Sequence, residues 1–239
     1  GLAPYGVRGA LWYQGESNGN EGVSYFHKMQ ALINGWRQVW GQGEFPLYFY
    51  FVQLADFQQP NDNPAGGDGW ARIREAQRQS LTIPHTGMAV ITDIGAANDI
   101  HPRNKQDVGH RLALWALRDV AKKDIVPSGP LFNSIKVEGP AIRVHFEHAA
   151  SGLIVGKRKN GLEPTPEVKD GALKRFAIAG EDKQWHWADA KIDGDTVVVS
   201  SQKVQKPVAV RYGFTMNPED ANLYNKEGLP ASPFRSDDW

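Results

Sequence analysis

The sequence predicts an α/β fold over residues 1 to about 125 and a β-rich module over residues 126–239. In the first part, apolar runs of strand length alternate with amphipathic segments, which is the pattern of a parallel sheet wrapped by helices. In the second part, short β-type runs follow one another without a convincing amphipathic helix. A segment rich in Pro and Gly, residues 126–130, separates the two patterns and predicts a linker.

Each predicted element of the first part has a physical reason. The run Tyr-Phe-Tyr-Phe-Val at residues 48–52 is continuously β-prone, as expected for a central strand covered on both faces. In residues 24–40, large apolar side chains recur at three- and four-residue steps, which gives a helix with one apolar face. The predicted strands are 7–13, 47–54 and 88–94, and the predicted helices are 24–40, 70–81 and 104–122.

The second part predicts a β-sandwich-like module. Asp193-Gly194-Asp195 is a hairpin turn signal between two apolar runs. Such a series of short strands with turn signals is typical of two packed antiparallel sheets. The predicted strands are 131–137, 141–146, 176–179, 185–192, 196–200 and 208–214.

Composition removes several classes of function. The 27 basic residues equal the 27 acidic ones, so no basic surface predicts nucleic acid or an anionic membrane as a partner. The absence of cysteine excludes disulfides and thiolate metal sites within these residues. His145 and His148 are three apart on a predicted strand and so point to opposite faces, which argues against a metal site. No phosphate loop or dinucleotide fingerprint is present, and no cofactor is predicted.

Residues 11–18, Leu-Trp-Tyr-Gln-Gly-Glu-Ser-Asn, are the most informative stretch. They lead from an apolar strand into polar residues, where Gln14 and Asn18 offer amides, Glu16 a carboxylate and Gly15 close access to the backbone. Polar groups packed this closely need partners, and a ligand is one such partner. A strand-to-loop turn satisfied by its own backbone is the alternative.

A second polar stretch, residues 92–102, follows another apolar strand and precedes a helix. Pro102 keeps His101 out of the helical region, so His101 is expected in the loop itself. A loop histidine beside Asp99 has the ingredients of an oriented general base. The alternative is a helix-capping loop in which Asp99 or Asn98 serves the helix N-terminus.

Taken together, WYQGESN and the Asp-Ile-His-Pro run resemble the sialate O-acetylesterase family, SGNH-type serine esterases with a flavodoxin-like α/β/α fold. Further matches are Arg-Glu-Ala-Gln at residues 74–77, the helix that begins near Val108, and the C-terminal runs 222–225 and 228–235. The resemblance implies a three-layer α/β/α domain, incomplete in this chain, over residues 1–125. The β-sandwich-like module over residues 126–239 would follow it.

The resemblance also implies roles for individual residues. His101 would be the general base and Gln14 would donate its amide to the tetrahedral oxyanion. Asp99 is favoured as the carboxylate that orients His101, with Asp93 as the alternative, because Asn98 stands where many SGNH enzymes have aspartate.

The resemblance also implies substrate binding by four further residues. Gly15 would let the substrate carbonyl approach the backbone, and Glu16 and Asn18 would hold sugar hydroxyls or the missing serine loop. Arg103, together with Lys105, would contact a sialic acid carboxylate, with solvated charges as the alternative.

One departure from the family pattern concerns the nucleophile. The Gly-Gln-Ser-Asn-type motif that carries the family's serine is not found in these residues. The chain is therefore expected to be the C-terminal portion of a longer esterase, whose N-terminal portion supplies the serine as the same or a separate chain. Ser17 is the alternative nucleophile, but its neighbours match a binding motif instead of a strained nucleophile elbow.

The resulting hypothesis is a serine esterase, without cofactor or metal, that removes O-acetyl groups from sialic acid or an acetylated polysaccharide. A non-catalytic fragment that binds glycans through its aromatic side chains is the alternative. The resemblance is compatible with a secreted, periplasmic or lysosomal location.

Overall fold

The computed structural model describes residues 1, 3, 5–41, 46–158 and 163–239. Within these residues the first part of the chain builds a three-stranded parallel sheet in the order β1-β2-β3. Three helices accompany it. The strands are β1 (Gly9–Trp12), β2 (Tyr48–Gln53) and β3 (Thr86–Val90), and the helices are α1 (Val23–Trp40), α2 (Ala71–Gln79) and α3 (Lys105–Asp119).

The parallel sheet carries helices on both of its faces. Phe49 and Phe51 of β2 point to one side, into a core shared with α1 and α2. Tyr50 and Val52 point to the other side, into a core shared with α3. This alternation is the two-residue period of a strand, and it explains why the whole β2 run is apolar.

Two four-stranded antiparallel sheets form the second part, in the orders β4-β5-β10-β9 and β13-β11-β7-β8. A short pair, β6 and β12, lies apart from them. The two larger sheets share one apolar core. The strands are β4 (Leu131–Glu138), β5 (Ala141–Glu147), β6 (Leu153–Val155), β7 (Phe176–Gly180), β8 (Trp185–Trp187), β9 (Asp189–Asp193), β10 (Thr196–Ser200), β11 (Pro207–Tyr212), β12 (Leu223–Asn225) and β13 (Phe234–Arg235).

Two features of the second part differ from the sequence-based expectation. The run 185–192 is not one strand, because the chain passes at Ala188 from β8 in one sheet to β9 in the other. The strands β6, β12 and β13 were not predicted, since runs of two or three residues are too short to show an alternating pattern.

The predicted linker at residues 126–130 is packed into the molecule. Ser128 and Gly129 are buried, and Asn225 Nδ2 donates a hydrogen bond of 2.9 Å to the Ser128 carbonyl. A Cβ atom on Gly129 would lie 2.1 Å from the Pro230 carbonyl oxygen, so only glycine fits there. The Pro- and Gly-rich composition correctly indicated a segment that connects the two parts. Its tertiary contacts, however, restrict the conformational freedom that such a composition suggests.

The two parts are joined by buried polar side chains, and Arg74 of α2 is the most heavily bonded of them. It is completely buried and donates to the carbonyl oxygens of Leu54 (2.8 Å) and Ala55, which follow β2. It also donates to Thr215 (2.7 Å) and Met216 (2.8 Å), which follow β11. Burial lowers the pKa of Arg74 to about 10, which still leaves the guanidinium charged at neutral pH.

We expect Arg74→Met to lower the free energy of unfolding by at least about 3 kcal/mol, because four buried carbonyl oxygens lose their donor. Urea denaturation followed by circular dichroism measures the change. Arg72→Met is the matched control, because Arg72 is exposed on the same helix and its loss should cost under about 0.5 kcal/mol. Equal stability of the two variants would contradict the assigned role of Arg74.

Candidate active site

The carboxyl ends of the three parallel strands bring polar residues to one edge of the sheet. Gln14 follows β1, Asp56 follows β2 and Asp93 follows β3. The strands run in the same direction in the order β1-β2-β3, so these positions lie along one edge. In open parallel sheets this is the edge where ligands bind.

Gln14 is held in place by its neighbours. Its Nε2 donates to Asn18 Oδ1 at 2.6 Å, and the hydroxyl of buried Tyr25 donates to its main-chain carbonyl at 2.9 Å. Gln77 Nε2 of α2 lies 3.4 Å from the same carbonyl. A side-chain amide nitrogen has two protons, so one remains to serve a ligand while the other is bonded to Asn18.

The other residues of this motif make contacts that stabilise the local structure. Gly15 is buried with φ 154°, and a Cβ there would lie 3.0 Å from Gln77 Nε2, so glycine allows close packing on α2. Asn18 donates to Glu21 Oε1 at 2.9 Å while it accepts from Gln14. Glu16 and Ser17 lie in the short 3-10 turn Glu16–Asn18, where Ser17 is exposed. The proposed substrate contacts of Gly15, Glu16 and Asn18 stay predictions.

His101 lies in a surface loop, as its position before Pro102 predicts. Its side chain is 86% exposed, and its main-chain N–H donates to Asp99 Oδ1 at 2.9 Å. The same carboxylate oxygen is 3.9 Å from His101 Nδ1, which is longer than a hydrogen bond. Catalytic hydrogen bonds of unliganded enzymes are often long and shorten when substrate binds, so this geometry is compatible with an orienting role.

Asp93, the alternative orienting residue, is bonded to residues other than His101. It forms a two-pronged ion pair with Arg111 of α3, at 2.5 and 2.9 Å, and accepts from the Tyr224 hydroxyl at 3.3 Å. The side chains of Asp93 and Arg111 are only 4% and 5% exposed. Burial alone would lower the pKa of Arg111, but the charge and hydrogen bonds of Asp93 and the charge of Asp107 together outweigh it, and the pKa is raised. A carboxylate in this position ties α3 to β3 and to β12.

The segments that carry Gln14 and His101 meet beside the sheet edge. Lys105, at the start of α3, places its Nζ 4.9 Å from the ring centre of Tyr13. Ile100 and Tyr13 also pack against the same apolar core. Gln14 and His101 make no hydrogen bond to each other in the described structure, so a ligand would have to bridge them.

Other residues of the second motif have separate surroundings. Arg103 is exposed, so its proposed contact with a sugar carboxylate stays a prediction. Asn98 accepts from Gln59 Nε2 at 3.3 Å. Asn104 caps α3, because its Oδ1 accepts from the Asp107 N–H at 3.1 Å. The cap of this helix is therefore Asn104, and neither Asp99 nor Asn98 performs that task.

Asp56 is a residue of this edge that sequence reasoning missed. Its Oδ1 accepts from the Gly95 N–H at 2.7 Å, and a Cβ on Gly95 would lie only 2.1 Å from that oxygen. Two more hydrogen bonds connect the same two segments. The Gln58 N–H donates to the Ala97 carbonyl at 3.0 Å, and Gln59 Nε2 donates to Asn98 Oδ1. The segment after β2 thus fastens the loop that leads to His101. The signal in the sequence was a lone carboxylate directly after a buried strand.

The segment at residues 58–69, between β2 and α2, is packed against the second part of the chain. Gly67 N–H donates to the Phe214 carbonyl at 2.7 Å, and Asp68 Oδ1 accepts from the Thr215 hydroxyl at 2.7 Å. Arg175 Nη1 donates to the Asn61 carbonyl at 3.0 Å.

A cavity of about 420 Å³ lies where the sheet edge meets the second part. Asp56 and Asp93 line it from the first part, and Lys157, Lys174 and Asn222 line it from the second. Neither Gln14 nor His101 belongs to its lining, so it is separate from the place where the two motifs meet.

Among the described residues, no three His, Cys, Asp or Glu side chains are grouped so that they could hold a metal ion. A search of the same residues finds no helix of the length and apolarity needed to cross a membrane.

Comparisons with known proteins agree with this arrangement. Residues 3–118 match the model of a family described as carbohydrate esterase, sialic acid-specific acetylesterase. The sialate O-acetylesterase of Rattus norvegicus is 36% identical over 95% of this chain and 44% of its own length, and that of Homo sapiens is 33% identical over 95% and 45%. The crystal structure of a carbohydrate acetylesterase from Xanthomonas citri superposes with a TM-score of 0.87 at 43% identity, covering 100% of this chain and 52% of that chain.

The fold and these matches make the chain similar to carbohydrate esterases. Within that class, the chain is similar to the sialate O-acetylesterase family, which confirms the resemblance seen in WYQGESN and Asp-Ile-His-Pro. The chain spans about half the length of the relatives it matches.

Burial raises the pKa of Asp56, although the Gly95 N–H and the charge of Arg74 act in the opposite direction. A carboxyl whose pKa is raised by folding stabilises the protein when protonated, and this stability is lost as the pH rises through the folded-state pKa. Asp56→Asn keeps an oxygen acceptor for Gly95 and cannot ionise. We therefore expect the variant to be more stable than the parent at neutral pH, by a margin that shrinks towards about pH 4.

Urea denaturation across this pH range measures the margin. Asp56→Ala is the control, because it removes the acceptor and should destabilise the protein at every pH. A stability difference between Asp56→Asn and the parent that does not change with pH would show that the buried carboxyl is not the titrating group.

Proposed function

We propose that the full-length protein is a serine esterase that removes O-acetyl groups from a carbohydrate, either sialic acid or an acetylated polysaccharide. The observation that carries this proposal is the meeting of the two family motifs at one edge of the parallel sheet, where Lys105 contacts Tyr13. Similarity to the family supports the type of reaction, and the exposed imidazole of His101 supports its role as the base.

We also propose the finer fold assignment. Residues 1–125 would form part of a flavodoxin-like SGNH α/β/α domain, which the helices on both faces of the parallel sheet support. Residues 126–239 would form a β-sandwich-like module, which the common core of the two antiparallel sheets supports.

In the proposed reaction, His101 removes the proton of a serine hydroxyl as the serine oxygen attacks the acetyl carbonyl carbon. Gln14 Nε2 donates a hydrogen bond to the carbonyl oxygen as it becomes negative. The imidazolium then protonates the departing sugar oxygen, and a water molecule repeats the sequence to release acetate. Asp99 holds Nδ1 of His101 and stabilises the imidazolium.

The serine is proposed to come from the N-terminal portion of the full-length protein. The relatives are about twice as long as the matched region, so they contain enough further polypeptide to supply it. Ser17 is a poor substitute because it is exposed within a 3-10 turn, not raised on a tight strand-to-helix turn.

We expect His101→Ala in the full-length protein to lower kcat/KM for an acetylated sugar by about 10²- to 10⁴-fold, because the base is lost. His110→Ala is the matched control, since His110 is exposed on α3 and should leave the rate unchanged. Ser17→Ala should also be without effect, and residues 1–239 alone should not hydrolyse p-nitrophenyl acetate above background.

Rapid hydrolysis by this polypeptide alone that disappears in Ser17→Ala would make Ser17 the nucleophile. Glycan binding by the full-length protein without any turnover would replace the esterase with the glycan-binding alternative.

Substitution of the two candidate orienting carboxylates, Asp99 and Asp93, should affect different measured quantities. Asp99→Asn should lower kcat at least about tenfold without changing Tm, because Asp99 is 42% exposed and its loss removes a charge beside the imidazole. Asp93→Asn should instead lower Tm, because it leaves the buried Arg111 guanidinium without a counter-charge. A larger fall in kcat for Asp93→Asn, measured well below its Tm, would reassign the orienting role.

A further inference from the structure

A chain of four polar side chains leads from the Gln14 amide to the surface of α1. Gln14 Nε2 donates to Asn18 Oδ1 at 2.6 Å, and Asn18 Nδ2 donates to Glu21 Oε1 at 2.9 Å. The other oxygen of that carboxylate, Glu21 Oε2, accepts from Lys28 Nζ of α1 at 2.6 Å. Glu21 lies outside the WYQGESN motif, which ends at Asn18. The chain therefore connects the proposed oxyanion donor to a residue outside the motif.

The carboxylate of Glu21 decides the direction of every hydrogen bond in this chain. Hydrogen bonds from Lys28 and Asn18 lower the pKa of Glu21, so its side chain is ionised at neutral pH and can only accept. Asn18 must therefore turn its NH2 group towards Glu21 and its oxygen towards Gln14. Gln14 must in turn face Asn18 with Nε2, because two amide oxygens 2.6 Å apart would repel each other.

The residue on the other side of the Gln14 amide does not make this choice. The Tyr25 hydroxyl lies 3.1 Å from Gln14 Oε1, and burial raises the pKa of Tyr25, so the hydroxyl keeps its proton at neutral pH. By rotating that proton, a hydroxyl can donate to an amide oxygen or accept from an amide nitrogen. Tyr25 is therefore compatible with either orientation of Gln14, whereas the carboxylate of Glu21 is compatible with one.

We infer that Glu21 is a positioning residue, which fixes the Gln14 amide with its nitrogen beside Asn18 and so keeps an N–H available for the oxyanion. The inference rests on the proposed function, in which Gln14 Nε2 donates to that oxygen. In the opposite orientation an amide oxygen would stand in this place, and its lone pairs would repel the developing negative charge. Glu21 thus acts through Asn18 and does not itself contact the substrate.

The test is Glu21→Gln in the full-length protein, which replaces one carboxylate oxygen by an NH2 group. Lys28 can only donate, so the new amide turns its oxygen to Lys28 and its NH2 group to Asn18, which reverses each hydrogen bond as far as Gln14. We expect kcat for an acetylated sugar to fall at least about tenfold. KM should change by less than about threefold, because the lost donor serves the transition state. Tm should change by less than about 2 °C, because the reversed hydrogen bonds remain.

Removal of Lys28 supplies the rescue experiment. In a Lys28→Met background the new amide can turn its oxygen towards Asn18, so Glu21→Gln should lower kcat there by less than about threefold. Glu138→Gln is the matched control, because Glu138 on β4 is also ion-paired and its side chain is 31% exposed, against 29% for Glu21. It lies in the second part of the chain and should leave kcat unchanged.

The side-chain amide signals of Gln14, in NMR spectra of the isotope-labelled full-length protein, give a readout that does not depend on turnover. These signals should shift in Glu21→Gln and return towards their parent positions when Lys28→Met is added. Unchanged kcat in Glu21→Gln, an equal loss of kcat with and without Lys28, or parent-like Gln14 signals in Glu21→Gln would each overturn the inference. Shifted signals that recover, in a protein without any turnover, would contradict the esterase proposal and support the orientation assigned to Gln14.

Discussion

The guanidinium of Arg74 is the constraint on which the joining of the two parts of the molecule depends. It donates to two carbonyl groups after β2 and two after β11, with no exposure to solvent. A lysine has three donors on one atom and cannot reach four carbonyls in this planar arrangement. Because the residues after β2 lead directly to Asp56, the same side chain sets the position of the sheet edge where the candidate site lies.

Three carboxylates near this edge have different surroundings and therefore different properties. Asp93 is buried against Arg111 and joins α3 to the sheet. Asp56 is half-buried, accepts from Gly95 and has a pKa that burial raises. Asp99 is partly exposed and next to an exposed histidine. Disturbing a buried ion pair costs more free energy than disturbing a solvated carboxylate, so the partial exposure of Asp99 supports its proposed role beside His101.

The candidate site is open to solvent. The His101 side chain is 86% exposed, and Leu11, on the strand that leads to Gln14, is 64% exposed. Ester hydrolysis through a charged intermediate benefits from a water-poor pocket, because hydrogen bonds to the oxyanion are stronger there.

The sequence by itself determined the α/β and β-rich parts, the approximate positions of the longer helices and strands, and the resemblance to the family. Hydrophobic periodicity and short motifs depend on residues close together in the chain, so they can be recognised from the sequence alone. The tertiary structure decided what local patterns do not contain: that residues 185–192 divide between two sheets, that residues 126–130 are packed, that Asp93 is paired with Arg111, and that Asp56 fastens the His101 loop. These depend on contacts between residues far apart in the chain, whose partners no single segment specifies.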